Sequence, residues 1–378
     1  MGITALWNSF SLWVMQAGLP MVAAYHVFCL SGFFNVSAED AVGVEKMANL
    51  CFAPAQYLFA GRVAIPCKAE DGTVIGYRLE QRFNYEDPSI WIKTAAAYCA
   101  LPSTTIFGTV LKTISYLSSD VRKKQTELAS SIKKGGAFFH SNNAYYASLG
   151  IEIIPFSEAE KISSLGYQRR PEDLHKLKIE KEALKDIVFL LNQKEIVYWL
   201  DCGSCLGAYR YGGVIPWDWD LDIAILQPDF DNVKEALSGL DPEKYMVQDW
   251  SSRDNPKTYL KVYVKEVNAL IDIYHFAVDG EKKEVRSILS NGKSVFLPNS
   301  WKIWEGRYTI PTPFSYVFPL KKISFDGVDA YVPNKTEKYL QQRYGENIAP
   351  VKIYNPVTGN YEKDETHPYW QIQYVNTR

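Results

Sequence analysis

"YWLDCGSCLGAYRYGGVIPWDWDLDIAIL", residues 198–226, holds two patterns that point to different chemistry. Cys202-Gly203-Ser204-Cys205 follows a short apolar run, the context of a thiol redox motif. Asp218, Asp220 and Asp222 are spaced by two and run into the apolar stretch "LDIAIL", the context of a metal site. On a strand, side chains alternate between faces. Asp220 and Asp222 therefore point the same way, ~6.5–7 Å apart along the chain, while Leu221 and Ile223 face a core. No basic residue lies between Arg210 and Lys234, so the three acids repel one another and a cation is the natural compensation. The bland alternative is an acidic loop edge.

The turn before the acids suits an anion. Gly203 and Ser204 lie between a strand and a helix, where glycine admits a close backbone approach and the helix N-terminus offers N–H groups. Further on, Asp272 is an isolated acid in "ALIDIYHF". Ile271 and Ile273 point to the core, so Asp272 lies on the opposite face and can join Asp220 and Asp222 if the two strands are neighbours. The thiol pattern has less behind it. The hairpins downstream do not supply a thioredoxin-like fold, and a structural zinc would need a second close Cys or His pair.

Around this stretch the chain has a legible order. "RPEDLHKLKIEKEALKDIVFLLNQK" reads as a helix with Leu174, Leu177, Leu184, Ile187, Val188 and Leu191 on one face, and with Pro171 at its first position. Asp229 reads as the cap of "FDNVKEALSGL". "TYLKVYV" and "ALIDIYHF" read as strands. "SILSNGKSVFL" and "KISFDGVDAYV" read as hairpins turning at Asn291-Gly292 and Asp326-Gly327. Asn334 and Glu337 read as a capping box for "KTEKYLQQRY", which Gly345 stops. The fold class is mixed α/β, or α+β: a mixed sheet flanked by helices.

The 378 residues divide on this reading into an apolar region 1–125, a connector 126–170, a catalytic domain 171–350 and an extension 351–378. No Asp, Glu, Lys or Arg precedes Glu39, and "LWVMQAGLPMVAAYHVFCLSGFF" is long enough to cross a bilayer. A second apolar stretch runs from Trp91 to Leu117. The N-terminal region is expected to be helical, and either membrane-associated or a helix pair buried in its own domain. A net charge of −2 gives no nucleic-acid face, and six scattered cysteines fit a reducing compartment better than a disulfide-stapled module. The localisation expected is at a membrane with the catalytic domain cytoplasmic, or soluble and cytoplasmic.

A glycine-serine turn, then an Asp-apolar-Asp-apolar strand, then a third acid on a later strand is similar to the polymerase-β type nucleotidyltransferases. More narrowly, "YWLDCGSCLGAYRYGGVIPWDWDLDIAI" resembles the LicD/fukutin family, as does "FPLKKISFDGVDAYVPNKTEKYLQQRYGEN". The chain departs from that pattern at Tyr211, where a His often follows the motif arginine, and at Cys202, where an aromatic or small residue is usual. The resemblance implies an enzyme that moves a phospho-alcohol, such as phosphocholine or ribitol phosphate, from a CDP-linked donor to a sugar hydroxyl of a glycan or glycolipid. It implies Mg²⁺ or Mn²⁺ on the catalytic Asp220 and Asp222, with Asp272 completing the metal site or taking the acceptor's proton, and with Asp218 orienting the loop or serving a second metal shell. It also implies phosphate contacts from Gly203, Ser204 and Arg210, with Arg210 alternatively pairing with Asp218. Lys261 is a weaker phosphate candidate, and Trp217 and Trp219 are expected to pack rather than stack on a base. Two other functions stay open: nucleotidyl transfer from an NTP with release of pyrophosphate, and a non-catalytic membrane-associated binding protein.

Overall fold

A computed structural model describes residues 35–36, 41, 43–58, 63–68, 74–80, 88–133, 141–150, 157–158, 170–218, 220–251, 255–267, 269–288, 302 and 306–371. The chain separates into two units that meet at 137/138. The first apolar segment, Trp219 and the turn Asn291-Gly292 lie outside the described residues.

The first unit has a three-stranded sheet, β1 (Asn35–Val36), β2 (Val63–Lys68) and β3 (Val74–Glu80), with helices α1 (Gly43–Leu58), α2 (Ile90–Ser115) and α3 (Ser119–Lys133). Helix α2 is long and apolar enough to cross a membrane by length and composition. It leaves Trp91, Ile92, Ile106 and Phe107 exposed, and α1 leaves Met47 and Leu50 exposed. Between them Lys112 and Glu45 form a fully buried ion pair at 2.8 Å, and Gln125 of α3 donates to the same carboxylate oxygen at 3.1 Å. Gly108 lies against Cys51 and Phe52 of α1, where an added Cβ would stand 3.0 Å from Cys51 Cβ and fit only tightly.

The second unit carries the long mixed sheet. Its elements are α4 (Asn143–Ser148), β4 (Ser157–Glu158), α5 (Leu174–Gln193), β5 (Tyr198–Leu200), α6 (Cys202–Tyr211), β6 (Asp220–Leu226), α7 (Phe230–Leu237), β7 (Tyr245–Asp249), β8 (Tyr259–Val264), β9 (Ala269–Asp279), β10 (Glu284–Ser287), β11 (Thr312–Pro313), α8 (Phe314–Val317), β12 (Lys321–Phe325), β13 (Val328–Val332), α9 (Thr336–Tyr344), β14 (Lys352–Asn355) and β15 (Asn360–Lys363). Strands β6 and β9 pair in parallel at the centre of the sheet, and β5 closes one side antiparallel. The other edge of β9 takes β8 along its first half and β10 along its second, both antiparallel. Leu221, Ile223, Leu260, Val262, Ile271 and Ile273 are buried on one face of this sheet, which is the alternation that leaves the acids on the other.

Several local expectations are corrected. Leu174 is exposed, and the buried stripe of α5 runs instead through Ile179, Ala183, Leu184, Ile187, Val188 and Leu191. A short 3₁₀ turn, Pro171–Asp173, carries the proline, so α5 itself begins one turn later. Asp229 stands at the N-cap of α7, but its carboxylate accepts from Tyr146 Oη at 2.7 Å and from Asn232 Nδ2 at 2.9 Å. It thus holds α4, from the segment read as a connector, onto this unit, and β4 adds a parallel strand to β12. Lys335, not Asn334, is the N-cap of α9, and Asn334 Nδ2 donates to the carbonyls of Ser315 and Phe318. The Asp326-Gly327 hairpin is present between β12 and β13, with φ of 49° and 82°, the two positive values that a type I′ turn requires.

Candidate active site

The sheet register builds the acidic cluster. Asp222 of β6 lies directly opposite Asp272 of β9, and Asp272 lies opposite Lys261 of β8, so the three form one row across adjacent strands. Asp220 is two residues before Asp222 on the same face. One carboxylate oxygen from each of Asp220, Asp222 and Asp272 falls within 4.8 Å of the others. Asp222 and Asp272 are each 5% exposed.

Burial is the main cause that pushes Asp220 well above the usual carboxylate range, followed by the charges of Asp218 and Asp272. Burial and then Asp220 and Asp272 push Asp222 in the same direction. A cluster of this kind is stable as carboxylates only beside a cation. Lys261 supplies part of it: Nζ stands 3.1 Å from Asp272 Oδ1 as an ion pair. That oxygen is buried and makes no hydrogen bond, so it keeps a lone pair for a further cation. All the donors are carboxylate oxygens, which suits Mg²⁺ or Mn²⁺ rather than a soft metal. The residues present fit the metal that the family resemblance implies.

The strand-to-helix turn holds Asp222. The Gly203 N–H donates to Asp222 Oδ2 at 3.0 Å. Ser204 Oγ accepts from the Asp222 N–H at 2.8 Å and is buried, and the Asp201 N–H donates to the Asp222 carbonyl at 3.0 Å. Asp222 is thus fixed at both its backbone and its side chain. A Cβ on Gly203 would lie 2.5 Å from Asp218 Oδ2 and 3.4 Å from Asp222 Oδ2, so a side chain there would push the Asp218 carboxylate aside. Asp218 is thereby placed beside Asp220 at the rim of the cluster, outside the group of three. Cys202 takes φ of 42°, an uncommon value for a residue with a Cβ, at the point where the strand turns into α6.

Arg210 goes elsewhere. Its guanidinium is buried and donates from Nε to the Ile348 carbonyl at 2.7 Å and from Nη2 to the Ala349 carbonyl at 2.6 Å. It ties α6 to the segment after α9, and burial lowers its pKa to about 10. Among the described residues its partners are these carbonyls and not Asp218. Cys205 is buried on α6 and its thiol is pushed up by burial and by Asp201, the reverse of what a reactive thiolate needs. Trp217 packs on Tyr361 at 5.0 Å and against Tyr211 at 6.2 Å between ring centroids.

The sequence reading passed over Asp201. Its buried carboxylate accepts from Tyr339 Oη at 2.6 Å and pairs with Arg343 Nη1 at 3.1 Å, both from α9. Trp199 Nε1 donates to the same Tyr339 hydroxyl at 3.2 Å, and the Arg343 guanidinium lies 3.6 Å from the Tyr339 ring centre. An acid that ends a fully buried strand was the available signal. Its partners lie almost 140 residues away, beyond what local spacing can reveal.

With this geometry in place, residues 195–335 match the family model described as LicD/FKTN/FKRP, nucleotidyltransferase domain. This stretch is similar to a LicD-type domain. Over 186 residues, 48% of the chain, the sequence is 28% identical to human ribitol 5-phosphate transferase FKRP, of which the match covers 33%. It is 28% identical over 178 residues, 46% of the chain, to the uncharacterized protein RP689 of Rickettsia prowazekii (strain Madrid E), covering 57% of that protein. It is 25% identical over 184 residues, 47% of the chain, to human ribitol-5-phosphate transferase FKTN, covering 35% of it. The chain thus spans about a third of the length of the human relatives. A solved lincosamide adenylyltransferase, LnuA with lincomycin bound, overlaps 44% of the chain and 87% of its own at 14% identity and a TM-score of 0.29. The matched stretch contains every residue of the acidic row, Asp201 and Arg210, whereas β14 and β15 follow its last residue.

Proposed function

We propose that the protein is a divalent-cation-dependent phosphotransferase that moves a phospho-alcohol, of the ribitol phosphate or phosphocholine kind, from a CDP-linked donor to a sugar hydroxyl of a glycan or glycolipid. The observation that carries this reading is the row Asp222, Asp272, Lys261 with Asp220 beside it, inside a domain whose matched relatives include two ribitol phosphate transferases.

On this reading Asp220, Asp222 and Asp272 hold Mg²⁺ or Mn²⁺. The cation supplies charge neutralisation on the transferred phosphoryl group and on the departing CMP. Gly203, Ser204 and the Asp201 N–H keep Asp222 from turning away. Asp218 borders the cluster and adds negative charge without entering the group of three. Lys261 balances Asp272 at 3.1 Å. Positioning and electrostatics supply most of the rate in phosphoryl transfer, and a rigid central strand pair is suited to both. The exposed apolar residues of α1 and α2 support a location at a membrane, where a lipid-linked acceptor would reside. The neutralised Lys112–Glu45 pair is what an apolar surrounding requires of two charges.

Product analysis tests the reaction. The full chain is incubated with Mn²⁺ or Mg²⁺ and with CDP-ribitol, CDP-choline or CDP-glycerol, and in parallel with each NTP. CMP release from a CDP-alcohol that requires the cation is expected. Pyrophosphate release from an NTP, with CDP-alcohols left intact, would replace phospho-alcohol transfer by nucleotidyl transfer.

A further inference from the structure

Two lysines at the edge of the site have no task in the account so far. In the hairpin β14–β15, Lys352 lies directly opposite Lys363 and Tyr354 directly opposite Tyr361. Cross-strand partners share a face, so these four side chains stand together, and Ile353 and Glu362 occupy the other side. Like charges directly opposite each other in a hairpin are destabilising. An ordinary exposed hairpin would place a carboxylate at one of the two positions. Here the acid of the hairpin, Glu362, is on the far face and bonded to Asn355 and Thr358.

The lysine face is turned toward the site. Tyr361 packs on Trp217 at 5.0 Å, and Trp217 immediately precedes Asp218, whose carboxylate borders Gly203. Lys352 Nζ lies 5.8 Å from the centre of the same Trp217 ring, and Lys363 Nζ lies 4.5 Å from the centre of Trp370. Lys352 is half-buried; burial first, and Lys363 second, hold its ammonium below the usual lysine value. Among the described residues neither ammonium is in an ion pair. The residues from which phosphate contacts were expected are all engaged within the protein: Gly203 and Ser204 by Asp222, Arg210 by two carbonyls, and Lys261 by Asp272.

We infer that Lys352 and Lys363 form a phosphate-binding subsite, built by the C-terminal hairpin against Trp217 and Trp370, at the rim of the acidic cluster. The inference rests on the phosphotransferase reading for its biological sense, but the anion site itself does not need a metal. Two ammonium groups on one face of the hairpin, Lys352 half-buried and Lys363 exposed, with Asp218 acting on Lys352 from a distance and neither in an ion pair among the described residues, attract a doubly charged phosphate more strongly than a scattered surface pair would. The hairpin follows the matched family domain, so the subsite belongs to the part of the chain that the family model leaves unaccounted for.

Calorimetric titration of the full chain in EDTA with pyrophosphate, CDP and galactose 1-phosphate tests this. Wild type is compared with Lys352→Gln, Lys363→Gln, the double variant and Asp222→Asn. Loss of one charge-assisted contact is expected to weaken binding about tenfold, and loss of both by more. Thermal stability without ligand should be unchanged or raised, because a repulsion has been removed. Lysine-dependent binding of CDP assigns the subsite to the donor, and of galactose 1-phosphate to a phosphorylated acceptor; either supports it. Binding that is equal in wild type and the double variant, or absent for all three anions in wild type, overturns the inference. Asp222→Asn separates the two readings: it should lose Mn²⁺ binding and keep metal-free anion binding, whereas the lysine variants should keep Mn²⁺ binding.

Discussion

At the scale of single residues, Asp201 and His275 show how a side chain can be indispensable or merely tolerated. Asp201 is a buried charge compensated, among the described residues, by Arg343 and the Tyr339 hydroxyl. Asp201→Ala would leave the Arg343 guanidinium buried and uncompensated. A loss of about 3–5 kcal/mol is expected, read by denaturant unfolding. A loss below ~1 kcal/mol would show that the pair does not hold α9. His275 is completely buried beside Phe230, at 4.6 Å between ring centroids, and burial lowers its pKa to about 3. The unfolded chain takes up the proton below about pH 6.5 and the folded chain does not, so His275 removes stability as pH falls from 6.5 toward 3. Between pH 6.5 and 5 the effect is up to about 2 kcal/mol. In His275→Leu the unfolding free energy should fall less over that range than in wild type, other groups cancelling in the difference. Parallel pH profiles for the two proteins would exclude this role for the histidine.

At the scale of elements, the turn from β5 into α6 decides where Asp222 stands. Gly203→Ala puts a Cβ 2.5 Å from Asp218 Oδ2, so the acid or the helix start must shift. We expect CMP release to fall at least tenfold while the protein unfolds within a few degrees of wild type, because the strain falls on one turn and not on the core. Unaltered turnover would mean that the close approach has no bearing on the cluster. Much of this was legible locally. The Asp-apolar-Asp-apolar alternation, the lone Asp272 between Ile271 and Ile273, and the Asp326-Gly327 turn each state their geometry within a few residues. The partners of the polar groups were not legible. A glycine-serine turn before a helix serves an anion or a neighbouring carboxylate equally well, and the bonds from Gly203 and to Ser204 that fix Asp222 follow from tertiary packing that local spacing does not show. Arg210 likewise could not be read, because the carbonyls of 348 and 349 reach it through tertiary packing.

At the scale of the whole molecule, two units carry different tasks. The first offers an apolar helical face; the second carries the acidic row and the lysine hairpin. Fractionation of cells that express the full chain should find it with membranes and released by detergent, not by high salt. Protein that stays in the soluble fraction would remove the membrane from the account. The segment read as a connector contributes β4 and the Tyr146–Asp229 bond to the second unit, a placement that composition alone could not show. The central claim is that Asp220, Asp222 and Asp272 hold a catalytic divalent cation. The most direct test is Mn²⁺ titration of purified wild-type protein and of Asp220→Asn, Asp222→Asn and Asp272→Asn, each checked for an intact fold by its melting temperature. The account predicts saturable Mn²⁺ binding in wild type that Mg²⁺ displaces, and loss of at least tenfold in affinity in each folded variant. Equal Mn²⁺ binding in wild type and in all three variants would contradict it.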